Sequence, residues 1–333
     1  MPLRTLYVNR QGAVLGIRNE ALIVRSMGEI LDVVPMASLQ SVVLFGNIQV
    51  STQAMHKLLS MGIDLIFLSQ KGKWRGRLVG PKPRNVFLLL AQYEATKNIE
   101  FRLEWAKNIV FTKILAEQMA AKWLDDSRDV WEWEFTLQHM QPGGMVFQTF
   151  EQGIHHRDED HLPEKIKWAT TMQEIMGIEG IEAQKYFSQW DRWLTGSGFE
   201  FGHRSRRPAK NPVNALLNLG YMMMLSEVER ALLIHGFEPM LGLMHGVSYG
   251  RNSLALDVLE LFRTFPIETL VLKLIKSETI TPYHFDTHSS GEVRLSDSGW
   301  ALWLKAYEEN LQAYRPYILK VMSMLRSQIL INP

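Results

Sequence analysis

Between Glu164 and Leu194, apolar residues recur by threes and fours at Trp168, Met172, Ile175, Ala183, Tyr186, Trp190 and Trp193. That is helical spacing, and the vacant place in the stripe is a carboxylate, Glu179. A carboxylate on the buried face of a helix is costly unless something compensates it, and a cation is one of the few groups that can. Gly177 and Gly180 flank it and thin the helix surface, so that another backbone or a substrate can come close. The plain alternative is a glutamate held in a salt bridge or snorkelling to water. A second cluster runs from Leu243 to Arg263. His245 lies there on a loop rich in glycine, Asn252 or Ser253 can cap a helix, and Ser253, Asp257, Glu260 and Thr264 recur on one of its faces. Asp257, Glu260 and His245 can converge on one cation, with Arg263 about one turn beyond Glu260 to meet a phosphate oxygen. The alternative is an amphipathic helix with a wet acidic face, and a histidine that merely hydrogen-bonds its loop.

A hard cation held by two glutamates and a histidine keeps positions open for water and for a phosphate oxygen. It can activate water, or a DNA 3′-hydroxyl, for in-line attack on phosphorus. Water gives nicking, and a 3′-hydroxyl gives strand transfer. The sequence holds no cysteine, which excludes disulfides, thiolate zinc sites and thiol nucleophiles. Carboxylate and imidazole ligands point to Mg2+ or Mn2+, and the imidazole tilts the preference toward manganese. A net charge of +1 does not advertise a nucleic-acid partner, so the positive charge has to be local. The clearest block is His203 to Lys210, where Arg204, Arg206, Arg207 and Lys210 stand without an acid, as a solvated loop or a phosphate contact. The dense run His155 to His161 reads as a hydrated loop, and His284, Asp286 and His288 read as a turn.

The elements that must position these groups follow from periodicity. A chain of 333 residues is expected to form two domains. Short alternating runs at Thr5 to Val8, Ala13 to Ile17, Ala21 to Arg25, Ile30 to Val34, Ser41 to Phe45 and Asp64 to Leu68 read as strands. Ser51 can cap a short helix through Ser60, and Lys71, Gly72 and Lys73 mark a turn. After Pro81 to Arg84 the pattern becomes helical from near Phe87 past Lys122, and a last long helix begins near Ser298. These runs predict an α+β chain, with a β-rich domain over 1–85 and a helical catalytic domain over 86–333. Residues 126–165 carry no periodicity, and no internal repeat is evident. With 46% hydrophobic and 21% charged residues and no long uncharged apolar stretch, a membrane role is not expected. The N-terminus enters strand-like alternation at once, so a cytoplasmic protein without a signal peptide is expected.

Three stretches taken together resemble one family. They are Met176 to Gly180 followed by Tyr186 and Phe187, the run Asn211 to Tyr221, and His245 to Arg263. In this order and spacing they look like the signature of the CRISPR-associated integrase, the first Cas protein of the spacer-acquisition module. The N-terminal run Ser41 to Gly46, with Ser51 and Thr52, then Gly62 to Asp64, looks like that family's β-domain. The resemblance implies Glu179, His245 and Glu260 as the metal ligands, and Asp257 as a neighbouring acid that supports the site. It implies an N-terminal β-sandwich that pairs into a homodimer and an all-α C-terminal catalytic domain. It also implies double-stranded DNA as substrate and the second CRISPR adaptation protein as partner in a hetero-oligomer. One departure stands out: many members place proline directly after the arginine that matches Arg263, whereas here Thr264 and Phe265 precede Pro266. Two other readings use the same residues. A stand-alone nuclease of branched or repair DNA would direct the three ligands to water, and a non-catalytic DNA-binding scaffold would pair Glu179 and Glu260 with basic side chains. A transposase-like relative would be expected to carry an appended DNA-binding module, for which the chain after the last helix leaves no room.

Overall fold

A computed structural model describes residues 4–70, 74–78, 80, 85–126, 163–205 and 208–331. The chain is α+β, strand-rich first and helical afterwards, and divides into two compact units, Met1–Pro83 and Arg84–Pro333.

The first unit contains two four-stranded sheets. In one, β1 (Arg4–Val8), β5 (Leu39–Phe45) and β7 (Asp64–Leu68) run parallel, and β8 (Trp74–Leu78) is antiparallel to β7. In the other, β2 (Val14–Arg18), β3 (Ala21–Ser26) and β4 (Glu29–Pro35) form an antiparallel meander, and β6 (Gln49–Val50) adds parallel to β2. Two-residue turns set the register of the meander. Asn19 and Glu20 in one, and Met27 and Gly28 in the other, all take the positive φ that such hairpin turns demand. Alternation decides which side chains turn inward. Leu15, Leu22, Val24 and Val34 meet Val8, Val42, Leu44 and Leu65 from the other sheet in one core, which Ala54 and Leu58 of α1 (Thr52–Ser60) also enter. Ser51 caps α1 by accepting from the Ala54 amide. All six strands expected from alternation are present, whereas β6 and β8 carried no run long enough to recognise.

In the second unit, the long helical run divides into α2 (Val86–Ala95) and α3 (Ile99–Asp126), because Asn98 turns its side chain onto the Phe101 amide. The helix expected from Glu164 to Leu194 is likewise broken. Thr171 and Glu174 form a reciprocal cap that starts α4 (Met172–Phe187), flanked by single turns at Glu164–Lys167 and Trp190–Trp193. Trp168 therefore falls outside the stripe and is exposed. Asn211 and Pro212 open α5 (Pro212–Ile234), with the cap oxygen on the Asn214 amide. The last cluster forms α6 (Ser253–Leu259), tightens over Glu260–Phe262, widens to a π turn over Thr264–Glu268, and resumes as α7 (Thr269–Lys276). Thr264 and Phe265, ahead of Pro266, lie in that π turn, so the helical path continues through the proline.

The expectation of an all-α second domain is corrected by β9 (Phe285–Thr287) and β10 (Val293–Leu295), an antiparallel pair ahead of α8 (Asp297–Ile331). Asp286 stands in β9 and His284 just before it, so only His288 belongs to the turn, closed by Gly291 at positive φ. Strands of three residues are too short for alternation to declare itself. The residues from His155 to His161, and the turn at Lys71 to Lys73, lie outside the described residues. Among the described residues no helix is long and apolar enough to cross a membrane.

Candidate metal and phosphodiester site

The face that carries Ser253, Asp257, Glu260 and Thr264 points into the protein. These four side chains belong to residues that are 0%, 0%, 6% and 2% exposed, which removes the wet acidic face as an explanation. A buried acid must then be compensated, and each is. Asp257 Oδ2 accepts from the amides of Leu243 and Met244 at 2.7 and 2.9 Å. Its Oδ1 accepts from the His245 amide at 2.8 Å and lies 2.6 Å from His245 Nδ1. An acceptor carboxylate requires the proton on Nδ1, so that in the neutral imidazole Nε2 carries the lone pair: the tautomer a metal ligand needs. Gly242 permits this loop, since a Cβ there would stand 2.5 Å from the Ser253 Cβ.

Glu179, on α4, and Glu260 meet at a single nitrogen, the Nζ of Lys113 on α3. The Nζ is 2.8 Å from Glu260 Oε2 and in closer contact with Glu179 Oε1. Glu260 gives its other oxygen to Arg263 at 2.9 Å. Burial pushes the Glu260 carboxyl up, but Arg263, Lys113 and the nearby His245 outweigh it and hold the group at about 2. Burial likewise lowers Lys113, yet the carboxylates, Glu260 foremost, keep its ammonium above the ordinary lysine range.

Behind this pair lies a buried polar layer. Arg263 stacks 4.9 Å from the ring centroid of Tyr221, whose hydroxyl donates to Glu268. Arg204 lies 5.2 Å from the same ring and donates to Asn214 Oδ1, Asn218 Oδ1 and the Ser205 carbonyl. Asn214 in turn bonds the Ser205 amide and the His203 carbonyl, pinning the start of the basic loop to α5. Gly220 allows α5 to approach the π turn, because a Cβ there would come within 2.5 Å of Ile267 Cγ2. Glu117, one turn beyond Lys113 on α3, is 3% exposed, and its Oε1 has no partner among the described residues. Burial drives its carboxyl up to about 8.

The sequence-predicted groups are thus distributed as follows. Glu179 and Glu260 meet at one point, His245 is near enough for its charge to act on Glu260, and Asp257 orients His245. Arg204 and Arg263 are bound within the protein, Lys210 is exposed, and Arg206 and Arg207 lie outside the described residues. Among the described residues no three acidic or imidazole side chains are gathered as a metal cluster, and the cation between Glu179 and Glu260 is the Lys113 ammonium. The donor set nevertheless fits a hard divalent ion: two carboxylates already share one cation, and a third donor, Nε2, is free of the Asp257 bond. Lys113, Glu117 and Glu268 were not found from sequence, and Tyr221 stood only at the end of the Asn211 to Tyr221 run with no role assigned. The signal for the first two was present, since they interrupt the buried stripe of Ala106, Ile109, Val110, Ile114 and Ala120 as Glu179 interrupts its own.

Comparison with known proteins agrees with this architecture along nearly the whole chain. A protein of Chlorobaculum tepidum named CRISPR-associated endonuclease Cas1 1 is 30% identical over 315 residues, which is 93% of this chain and 87% of that relative. The fold is shared with a Cas1 protein from Thermotoga maritima, at a TM-score of 0.78 and 23% identity over 98% of this chain and 97% of that one. It is shared also with a casposase bound to integration product, at a TM-score of 0.75 and 20% identity over 100% of this chain and 92% of that one. The sequence profile of the CRISPR associated protein Cas1 matches residues 6–309. A match of that extent, over both units and every residue of the site, makes this chain a member of the CRISPR-associated Cas1 family.

Proposed function

We propose that this chain is a divalent-metal-dependent DNA endonuclease and integrase that inserts short foreign duplexes, the spacers, into a CRISPR array by attack of DNA 3′-hydroxyls on phosphodiesters. The observation that carries the reading is the meeting of Glu179 and Glu260 at one cation beside an imidazole whose tautomer Asp257 sets. Glu179, His245 Nε2 and Glu260 would hold Mg2+ or Mn2+. When bound, such an ion supplies a Lewis acid for a phosphate oxygen and a site for the attacking hydroxyl. The protein's own contribution is orientation. Asp257 fixes the imidazole, Arg263 fixes Glu260 and faces the same site, and Asn214, Asn218 and Tyr221 hold Arg204 behind them.

In this reading the enzyme works in the cytoplasm on double-stranded DNA, and the two sheets of the first unit form a β-sandwich that pairs with a second copy. Support for the pairing comes from β4, an edge strand on which Ile30, Leu31 and Val33 are 49%, 51% and 54% exposed. The second adaptation protein would complete the assembly. The contact of Lys113 with both glutamates also favours a second reading, a non-catalytic scaffold in which those acids serve only as ion-pair partners.

One assay separates the readings. The protein, with the second adaptation protein, is given a duplex bearing 3′-hydroxyls, a supercoiled repeat-containing plasmid and Mn2+. Joined product is expected, and Glu179→Ala should abolish it. Cutting without joining would favour the stand-alone nuclease, and joining by Glu179→Ala at the parental rate would end the catalytic reading.

A further inference from the structure

The Lys113 ammonium and a divalent ion cannot both stand between Glu179 and Glu260. Nζ already touches one oxygen of each carboxylate, and its side chain is only 5% exposed. Two cations at such spacing repel strongly where water is scarce. Nor can a buried ammonium simply be turned out of its place, because an unpaired charge in the interior is far more costly than a paired one. It needs another acceptor. Glu117 lies four residues along the same helix, the spacing that places two side chains on one face. Its carboxyl group is buried, one of its oxygens has no partner among the described residues, and Lys113 is the strongest charge acting on it. Lysine suits the task where arginine would not, since a compact ammonium on a flexible stem can swing between two acceptors.

Resting on the metal-site reading above, we infer that Lys113 is a built-in competitor of the metal: it holds Glu179 and Glu260 together when no metal is bound, and passes to Glu117 when a divalent ion enters. The two carboxylates are thereby held together, without mutual repulsion, before the ion arrives. Metal affinity is correspondingly weakened, so the site charges and discharges with the ion supply.

The test is Mn2+ binding by calorimetry on the full chain, with thermal melting of the metal-free and Mn2+-loaded protein as a second readout. Lys113→Met removes the competitor and should bind Mn2+ about tenfold more tightly, while melting lower without metal and gaining more on its addition. Glu117→Gln removes the receiving acceptor and should bind Mn2+ about fivefold more weakly. Unchanged or weaker binding by Lys113→Met overturns the proposal. If that variant folds only with metal, Glu117→Gln decides, and parental affinity there overturns it. Glu179→Gln is the control for the underlying reading. If it binds Mn2+ as the parent does, the metal site itself is misplaced, whatever the other two variants show.

Discussion

Each oxygen of Asp257 lies within hydrogen-bond distance of two donors, three of them backbone amides and the fourth the Nδ1 of His245. Such a carboxylate has no lone pair to spare for a metal, so its part is to fix the loop and the imidazole tautomer. Asp257→Asn keeps the shape but turns an NH2 group toward two of those donors. A melting temperature lower by several degrees is expected, from about 1–3 kcal/mol of unsatisfied buried polar groups. Joining should fall about 10–100-fold, as it does when the orienting partner of a metal-bound histidine is lost. Stopped-flow joining assays and calorimetric melting check both effects; an unchanged joining rate would mean that His245 needs no orientation. Glu179 was legible in the sequence because a charge in an apolar stripe is conspicuous. Lys113 and Glu117 interrupt a stripe in the same way, yet periodicity alone does not say that an ammonium and a carboxylate from different helices share a point in space.

Elements carry the site through two close approaches of backbone. The loop before α6 lies on Ser253 because residue 242 is glycine, and α5 lies on the π turn because residue 220 is glycine. Gly220→Ala would drive a methyl group into Ile267 Cγ2 and the Trp303 ring, the latter 3.2 Å away. Overpacking of this kind costs about 1–3 kcal/mol. The expected outcome is a loss of several degrees in melting temperature with a reduced joining rate, because the shift falls on the segment that bears Arg263 and Glu268. A variant that melts and joins like the parent would show that α5 and the π turn yield freely. Helix ends were only partly legible. Ser51 caps where its residue type predicts, Asn252 at the start of α6 donates its side chain to Glu229 instead, and Thr171 and Asn98 break helices that periodicity alone would have run together. A cap is a choice between two hydrogen-bonding patterns, and an unbroken apolar rhythm on either side hides it.

For the whole molecule, the proposed pairing of two copies rests on the apolar edge strand of the first unit. Replacing both Leu31 and Val33 with arginine puts like charges along that edge, where a partner strand would have to meet them. Light scattering after gel filtration should then report the monomer mass where the parent reports twice that mass. Persistence of the dimer would place the pairing surface elsewhere. The sequence by itself determined the two-part plan, because period-2 and period-3.6 rhythms are local consequences of which face is buried. It also pointed to Glu179, His245, Asp257 and Glu260 as members of one proposed site, through their types and their resemblance to one family. Tertiary structure decided what each does there. Asp257 became an orienting group, the basic loop's Arg204 an internal clamp, and Lys113 the cation at the centre. These roles depend on contacts between residues 10 to 147 positions apart, and such contacts follow from packing, which no local spacing encodes.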